Sequence, residues 1–418
     1  MENLETANAL MASGQTDDGL KLLRDLIRDA DDDTIYGAAL IYQKYGFLDD
    51  AEKNYEALLK RYPNDSGLLL QLSELLIDKD EENRAIEYLL KIHPLDENYL
   101  SAQVALADLY QLEGLDEVAE KKLLDALKIA PHEPVLLYAL GEFYLSTGEA
   151  HQAVELFKEV QGNKELADQN IDLKLAEALS LEGEFEQSLS EYRKGLKKEK
   201  TLDGLFGYGV TASRIGQNKT TIKALEELKK LDPGYSTLYP VLAHAYEHEG
   251  DLQSALKTIE AGLSEDEFNE RLYAEAGDLA VRAHDPDKAV YYYQKLFDSD
   301  PENIEALTKL VELKAQEEDY EGIKELLEGQ DPDDPMLIWF LATAYNKTDD
   351  LKKAEKYYLD AWPAFADNPE FLEEYGEYLR EIGKTGESLE ILQKAAKLDP
   401  DNHDLILFVE RLKQDYQR

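Results

Sequence analysis

Three stretches of the chain carry residue types at spacings that do chemistry elsewhere. Gly207-Tyr-Gly209-Val-Thr-Ala212 has the glycine spacing of a dinucleotide-binding turn, where bare backbone lets a pyrophosphate approach a helix N-terminus. Such a turn must follow a strand, and the pattern around it here is helical, so no cofactor is expected. Gly216-Gln-Asn-Lys219-Thr220-Thr221 resembles a phosphate loop but lacks the glycine directly before its lysine. His244 and His248 stand four apart, as two metal ligands on one helix face would, yet Glu247 is off the metalloprotease position and no third ligand accompanies them. With 89 aspartates and glutamates, carboxylates pair by chance all along the chain, so sequence proximity singles out no acid-base couple. No Ser, His and Asp constellation is recoverable, and a chain without cysteine has no thiolate catalysis, disulfides or cysteine-ligated metals. No catalytic residue, cofactor or metal is expected, and the chain reads as a non-enzyme.

The elements that must position these residues follow from a single period. The 418 residues exceed what one globular core sustains, but a 34-residue repeat runs from end to end. Glycines at 14, 46, 114, 148, 183, 216, 250 and 383 mark places where a helix stops and reverses, which suits a residue free to adopt the left-handed conformation. Five residues on comes a small side chain (Ala51, Ala119, Ala153, Ala255, and by register Ala289 and Ala354) that lets two helices approach. Four further lies a large one: Tyr55, Leu123, Phe157, Tyr192, Ile259, Tyr293, Tyr358 or Leu392. Upstream of the turn, pairs such as Ala39 and Tyr42, Ala107 and Tyr110, Gly141 and Tyr144 share one face of the first helix. Prolines 63, 131, 233, 301 and 400 stop the second helix. The unit is helix, turn, helix, stop.

These residues closely resemble the tetratricopeptide repeat (TPR), with small residues at its eighth and twentieth positions, aromatics at the eleventh and twenty-fourth, and proline at the thirty-second. The resemblance covers nearly the whole chain and implies an all-α fold: a right-handed superhelical solenoid of about twelve helix-turn-helix repeats plus a C-terminal capping helix. Residues 1–31 read as a divergent first repeat, with Gly19 for alanine, and 32–302 as repeats two to nine, with Asp80 for the turn glycine in the third. Residues 303–334 read as a degenerate tenth repeat with Glu317, Gly322 and Gly329 at key places and Asp331-Pro-Asp-Asp-Pro335 after it. Any kink or hinge is expected there. Residues 335–402 form repeats eleven and twelve, and 403–418 the cap, with Leu405, Leu407, Phe408 and Leu412 on one side. The acidic composition also resembles the acidic TPR proteins of Bacillus-type bacteria, the YpiA type.

The formal net charge is -44, with a sequence pI near 4.4. Such a surface repels phosphate backbones and anionic headgroups, so neither nucleic acid nor a membrane surface is an expected partner. High charge also keeps a long exposed chain dispersed. No apolar window approaches the ~20 residues that span a bilayer, and the opening Met-Glu-Asn-Leu-Glu-Thr lacks the basic and apolar regions of a signal peptide. A cytoplasmic location is expected.

In the family, first helices line the concave surface, and residues at the second, fifth, ninth, twelfth and thirteenth positions face the ligand. By that register the ninth position carries Glu74, Asp108, Glu142 and Glu177 in repeats three to six, while the fifth carries Tyr36, Leu70, Val104, Tyr138, Leu173 and Phe206 in repeats two to seven. Farther on the acidic run gives way to Val210, His244, Asp278, Val311 and Thr343. The resemblance implies a protein-protein adaptor whose groove takes a basic or apolar polypeptide through Tyr36, Glu74, Asp108, Tyr138, Glu142, Glu177, Phe206 and His244. The terminal-carboxylate clamp known in the family is not expected, because its basic places are acidic or apolar here. Two other readings stand beside this one. A self-assembling solenoid would use the solenoid ends or the basic run Arg193 to Lys200, making a homo-oligomer. A peptide-sensing regulator of signalling phosphotransfer would be expected to carry a separate N-terminal helical bundle, whereas here repeats are recognisable from the start.

Overall fold

The computed structural model describes residues 2–327 and 332–416. Gly329 and Asp331, which figured in the sequence reading, lie outside the described residues. Among those described there are 25 α-helices, one short 3-10 turn at Ile27–Asp29, and no strand. The described chain is all-helical, and it divides into two compact units, 1–215 and 216–418. The division falls at the turn of the seventh repeat, and 303–334 lies inside the second unit.

The first unit holds six helix pairs and the first helix of a seventh. Repeat two, Asp32–Lys44 and Leu48–Leu59, shows how the residues dictate the pattern. Asp31 caps the first helix by accepting a hydrogen bond from the Thr34 amide at 2.9 Å, which satisfies an otherwise orphaned donor. Gly46 takes φ 79° and reverses the chain, and Pro63 follows the second helix. Ala39, Ala51 and Tyr55 are fully buried where the two helices meet. In repeat five the small position is itself a glycine. A Cβ on Gly141 would stand 2.8 Å from Phe157 Cε1, so the ring of the second helix (Ala150–Val160) packs directly on the backbone of the first (Pro134–Thr147).

The second unit begins with the second helix of repeat seven, Asn218–Leu231, and runs to the terminal helix His403–Tyr416. Gly277 against Tyr293 and Gly376 against Leu392 repeat the Gly141 contact. The turn differs. His284, Glu318 and Asp349 occupy the left-handed position in repeats nine to eleven at φ 56–60°, where the first unit has a single such case, Asp80 at 55°. A side chain there costs roughly 1–2 kcal/mol. In each of the three an aspartate follows and accepts from the next helix's amides: Asp285 from Lys288, Asp319 from Gly322, Asp350 from Lys353. The left-handed residue of repeat ten is Glu318, one place beyond the Glu317 expected from the period.

The eleventh-position aromatics differ among themselves, and one expectation for the terminal helix needs correcting. Tyr42 is buried, but Tyr144 and Tyr246 are half-buried and donate to Glu120 (2.7 Å) and Glu226 (3.2 Å) on the preceding repeat's second helix, linking neighbours rather than filling them. In the terminal helix Leu407 is exposed. Val409 joins Leu405 in the buried cluster, because their four-residue spacing keeps both on the face that meets repeat twelve.

Candidate functional site

Within the first unit, first helices of successive repeats bring the ninth positions of repeats four to six into electrostatic contact. Glu74 and Asp108 lie on Ser66–Ile77 and Tyr99–Leu112, Glu142 on Pro134–Thr147, Glu177 on Ile171–Glu182. Their side chains reach solvent, yet the flanking helices displace water from them. Loss of water pushes the Asp108 carboxyl above the ordinary carboxylate value, and the Glu142 charge adds to it. Glu177 is raised by the same cause; Lys174 opposes, while Asp203 and Glu142 reinforce. Glu74 is raised too, against a 2.8 Å hydrogen bond from Gln71. A carboxylate that has shed water and gained no cation is primed to receive one.

Their partners differ. Among the described residues, Asp108 and Glu177 have neither a hydrogen bond nor an ion pair. Glu142 is bridged at 3.1 Å by Lys174, a cation of the chain's own that stands between two rungs. Tyr36 is half-buried, its ring edge-on to Tyr55 at 6.0 Å, and its phenol feels the Glu74 charge. Tyr138 is buried against Phe157 and offers little surface. Phe206 is half-buried. The structure therefore brings Asp108, Glu142 and Glu177 together and couples Tyr36 to Glu74. The basic run at the end of Phe185–Lys198 is engaged locally, with Lys198 on Asp172 at 2.6 Å and Lys194 on Glu191 at 2.7 Å.

His244 lies in the second unit, exposed on Leu238–His248 and stacked on His248 with ring centroids 5.2 Å apart. Gly207 and Gly209 are inside the helix Leu202–Arg214, and the helix Asn218–Leu231 begins two residues after Gly216. At the equivalent of the first unit's open rungs, repeat eleven is closed. Glu374, on the helix Pro369–Glu381, accepts from Trp339 Nε1 (3.1 Å), Thr343 Oγ1 (2.5 Å) and the Tyr358 hydroxyl (2.6 Å). Trp339 and Thr343 hold the fifth and ninth positions of their repeat, so both are tied to the next repeat.

The TPR pattern extends to close relatives. Profiles described as YpiA-like tetratricopeptide repeats match residues 111–165 and, for the C-terminal repeats, 335–402, and a general tetratricopeptide-repeat profile matches 36–99. The TPR repeat-containing protein YpiA of Bacillus subtilis is 35% identical over 419 residues, covering 99% of both chains. The chain belongs to the YpiA-like family of TPR proteins. Among solved structures, YrrB, whose structure is titled as a TPR protein with an unusual peptide-binding site, is 15% identical with a TM-score of 0.39, covering 44% of this chain and 95% of its own. A TPR protein of Parabacteroides merdae is 17% identical with a TM-score of 0.41, covering 60% and 98%. Both are likenesses of fold. A YpiA-like TPR chain is a protein-interaction scaffold.

Sequence reasoning missed two residues of this YpiA-like surface. Leu112 and Leu181 are 78% and 55% exposed, each one helical turn beyond a carboxylate rung, Asp108 and Glu177. The i, i+4 spacing puts each leucine beside its acid on the same face. Reading the thirteenth position together with the ninth would have found them, since a large apolar side chain has no reason to face water on a helix whose other side is buried.

Proposed function

We propose that the first-helix face of repeats two to seven holds a basic, partly apolar polypeptide segment, and that the chain is a non-enzymatic cytoplasmic adaptor. The observation that carries this reading is the pairing of Asp108 and Glu177, which have shed water and hold no hydrogen bond or ion pair among the described residues, with exposed Leu112 and Leu181. A partner with lysines or arginines beside apolar side chains would satisfy both. Tyr36 and Glu74 extend the surface toward the N-terminus and Phe206 toward the C-terminus.

The test is capture from cell lysate at low and moderate salt with wild-type bait and a variant carrying Glu74, Asp108, Glu142 and Glu177 reversed to lysine, retained proteins being identified by mass spectrometry. The reversal should release the basic partners while the far-ultraviolet circular dichroism stays helical. Wild-type capture should weaken as salt rises, because exposed charges are screened beyond roughly 8–10 Å near physiological ionic strength. Identical partner sets for both baits would sink the acidic-surface reading. Self-association of the wild type in sedimentation, together with such identical sets, would put the self-assembling reading ahead.

A further inference from the structure

The first helices of repeats eight and nine, Leu238–His248 and Glu270–Arg282, enclose a cavity of about 340 Å3 that the reading above leaves unused. His244, Glu247 and His248 line one wall, Glu275, Asp278 and Arg282 the other. The size is at the low end for a small-ligand site, which spans roughly 300–1,000 Å3. Three carboxylates face one guanidinium, so the walls are net negative with the imidazoles neutral.

Not all of that charge is spent. Arg282 is committed to Glu247, with Nε on Oε1 at 2.7 Å and a terminal nitrogen on Oε2 at 3.4 Å. Asp278 accepts the Tyr293 hydroxyl on Oδ1 at 2.6 Å and has no ion pair among the described residues. Among the described residues Glu275 pairs only with Arg271, one turn away on its own helix at 3.1 Å, and the Arg271 side chain is mostly in water. Exposed pairs of that kind are worth little and exchange readily. Two carboxylates are thus available to an incoming cation.

The histidines decide which cation. Their rings line the cavity and stack on each other, 16° from parallel with centroids 5.2 Å apart. A guanidinium is planar, stacks on such rings and donates in a fork that matches a carboxylate, whereas an ammonium is a hydrated point charge. A divalent metal is a poorer match, because among the described residues no three histidine, aspartate or glutamate side chains converge as a ligand set. We propose that this cavity receives one arginine side chain of a bound polypeptide. The site belongs to the second unit and does not depend on the acidic surface of the first.

The experiment uses the full chain with isotope-labelled histidine, whose seven imidazoles are few enough to resolve, and His244→Ala and His248→Ala to assign the two signals. N-acetyl-arginine amide, its citrulline analogue (same shape, no charge) and N-acetyl-lysine amide are titrated separately. Arginine amide should move the His244 and His248 signals saturably at millimolar concentrations, with citrulline at least about tenfold weaker and lysine in between. Asp278→Asn, which keeps an acceptor for Tyr293, should weaken the response about tenfold, and Glu275→Gln should act in the same direction. A response to citrulline equal to that of arginine, or none at these two signals, overturns the proposal. Equal arginine and lysine responses overturn the part that rests on stacking. Failure of the lysine-reversal capture experiment would leave this result untouched, since the ligands and the unit probed are different.

Discussion

Repeats four to six and repeats eleven to twelve place acids on the same kind of helix and treat them oppositely. In the first region Asp108 and Glu177 have lost water with no donor to replace it. In the second, Glu374 gathers an indole, a threonine hydroxyl and a phenol from two neighbouring helices and sits amid Trp339, Phe371 and Tyr358. One scaffold therefore offers an acidic surface with vacant valence and another whose valence is filled. A filled acid stiffens the joint between two repeats; a vacant one leaves free energy for a partner to collect.

Truncating the large second-helix aromatics probes the common framework and should give the largest effects. Phe157→Ala is expected to cost about 3–5 kcal/mol in chemical denaturation followed by circular dichroism. Tyr358→Ala should cost at least as much, because it removes a donor to Glu374 as well as a ring. Tyr358→Phe separates the two contributions; a loss near zero would mean that the hydroxyl bond does not matter.

Next comes Glu374→Ala, expected to cost about 2–3 kcal/mol, within the range for stranding donors to a charged acceptor. Both tryptophans, Trp339 and Trp362, lie in the second unit, so this change should also alter the intrinsic fluorescence. By contrast, Asp108→Ala in the first unit should leave stability nearly unchanged. Equal losses at the two positions would erase the distinction between open and filled acids.

The turns come third. Gly148→Ala, at φ 85°, should cost about 1–2 kcal/mol, and Asp349→Gly should gain up to about 1 kcal/mol by removing the same strain. A neutral Asp349→Gly would show that the neighbouring Asp350 cap has already absorbed the strain.

The smallest effect is electrostatic. The folded-state pKa of Asp108 and Glu177 is raised, so the folded protein holds protons that the unfolded chain has released, and their charged forms cost stability above the raised values. That cost fades as pH falls through the raised values toward the ordinary carboxylate range near about 4. Asp108→Asn with Glu177→Gln should therefore raise the melting temperature slightly at neutral pH, by the equivalent of about 0.5 kcal/mol or less, and the gain should shrink in acid. A gain that grows in acid would reverse the assignment.

Much of this architecture is written locally and was legible. The turn glycines, from Gly14 to Gly383, take positive φ because no other residue does so without strain, and Ala51, Ala119 and Ala153 are buried because two helices must touch there. What escaped depends on partners far away in the chain. Nothing beside Glu374 announces that Trp339, 35 residues earlier, and Tyr358, 16 earlier, will donate to it. His284 and Asp349 take left-handed turns that composition alone does not mark. Of the residues proposed to face a ligand, the acids could be placed by register, but the exposure of Leu112 and Leu181 and the burial of Tyr138 depend on how neighbouring helices cover them.

Lys174 adds a consequence for exchange. Its ammonium already sits 3.1 Å from Glu142 and lowers the proton affinity of Glu177, so the chain carries an imitation of the cation it is proposed to bind. On that proposal an incoming lysine or arginine would have to compete with this resident one, which would trade affinity for speed of release and discriminate against partners with a single positive charge. Lys174→Ala should then tighten capture of a basic segment and let weaker, singly charged competitors in. The resident lysine would act less as a structural bond than as a threshold.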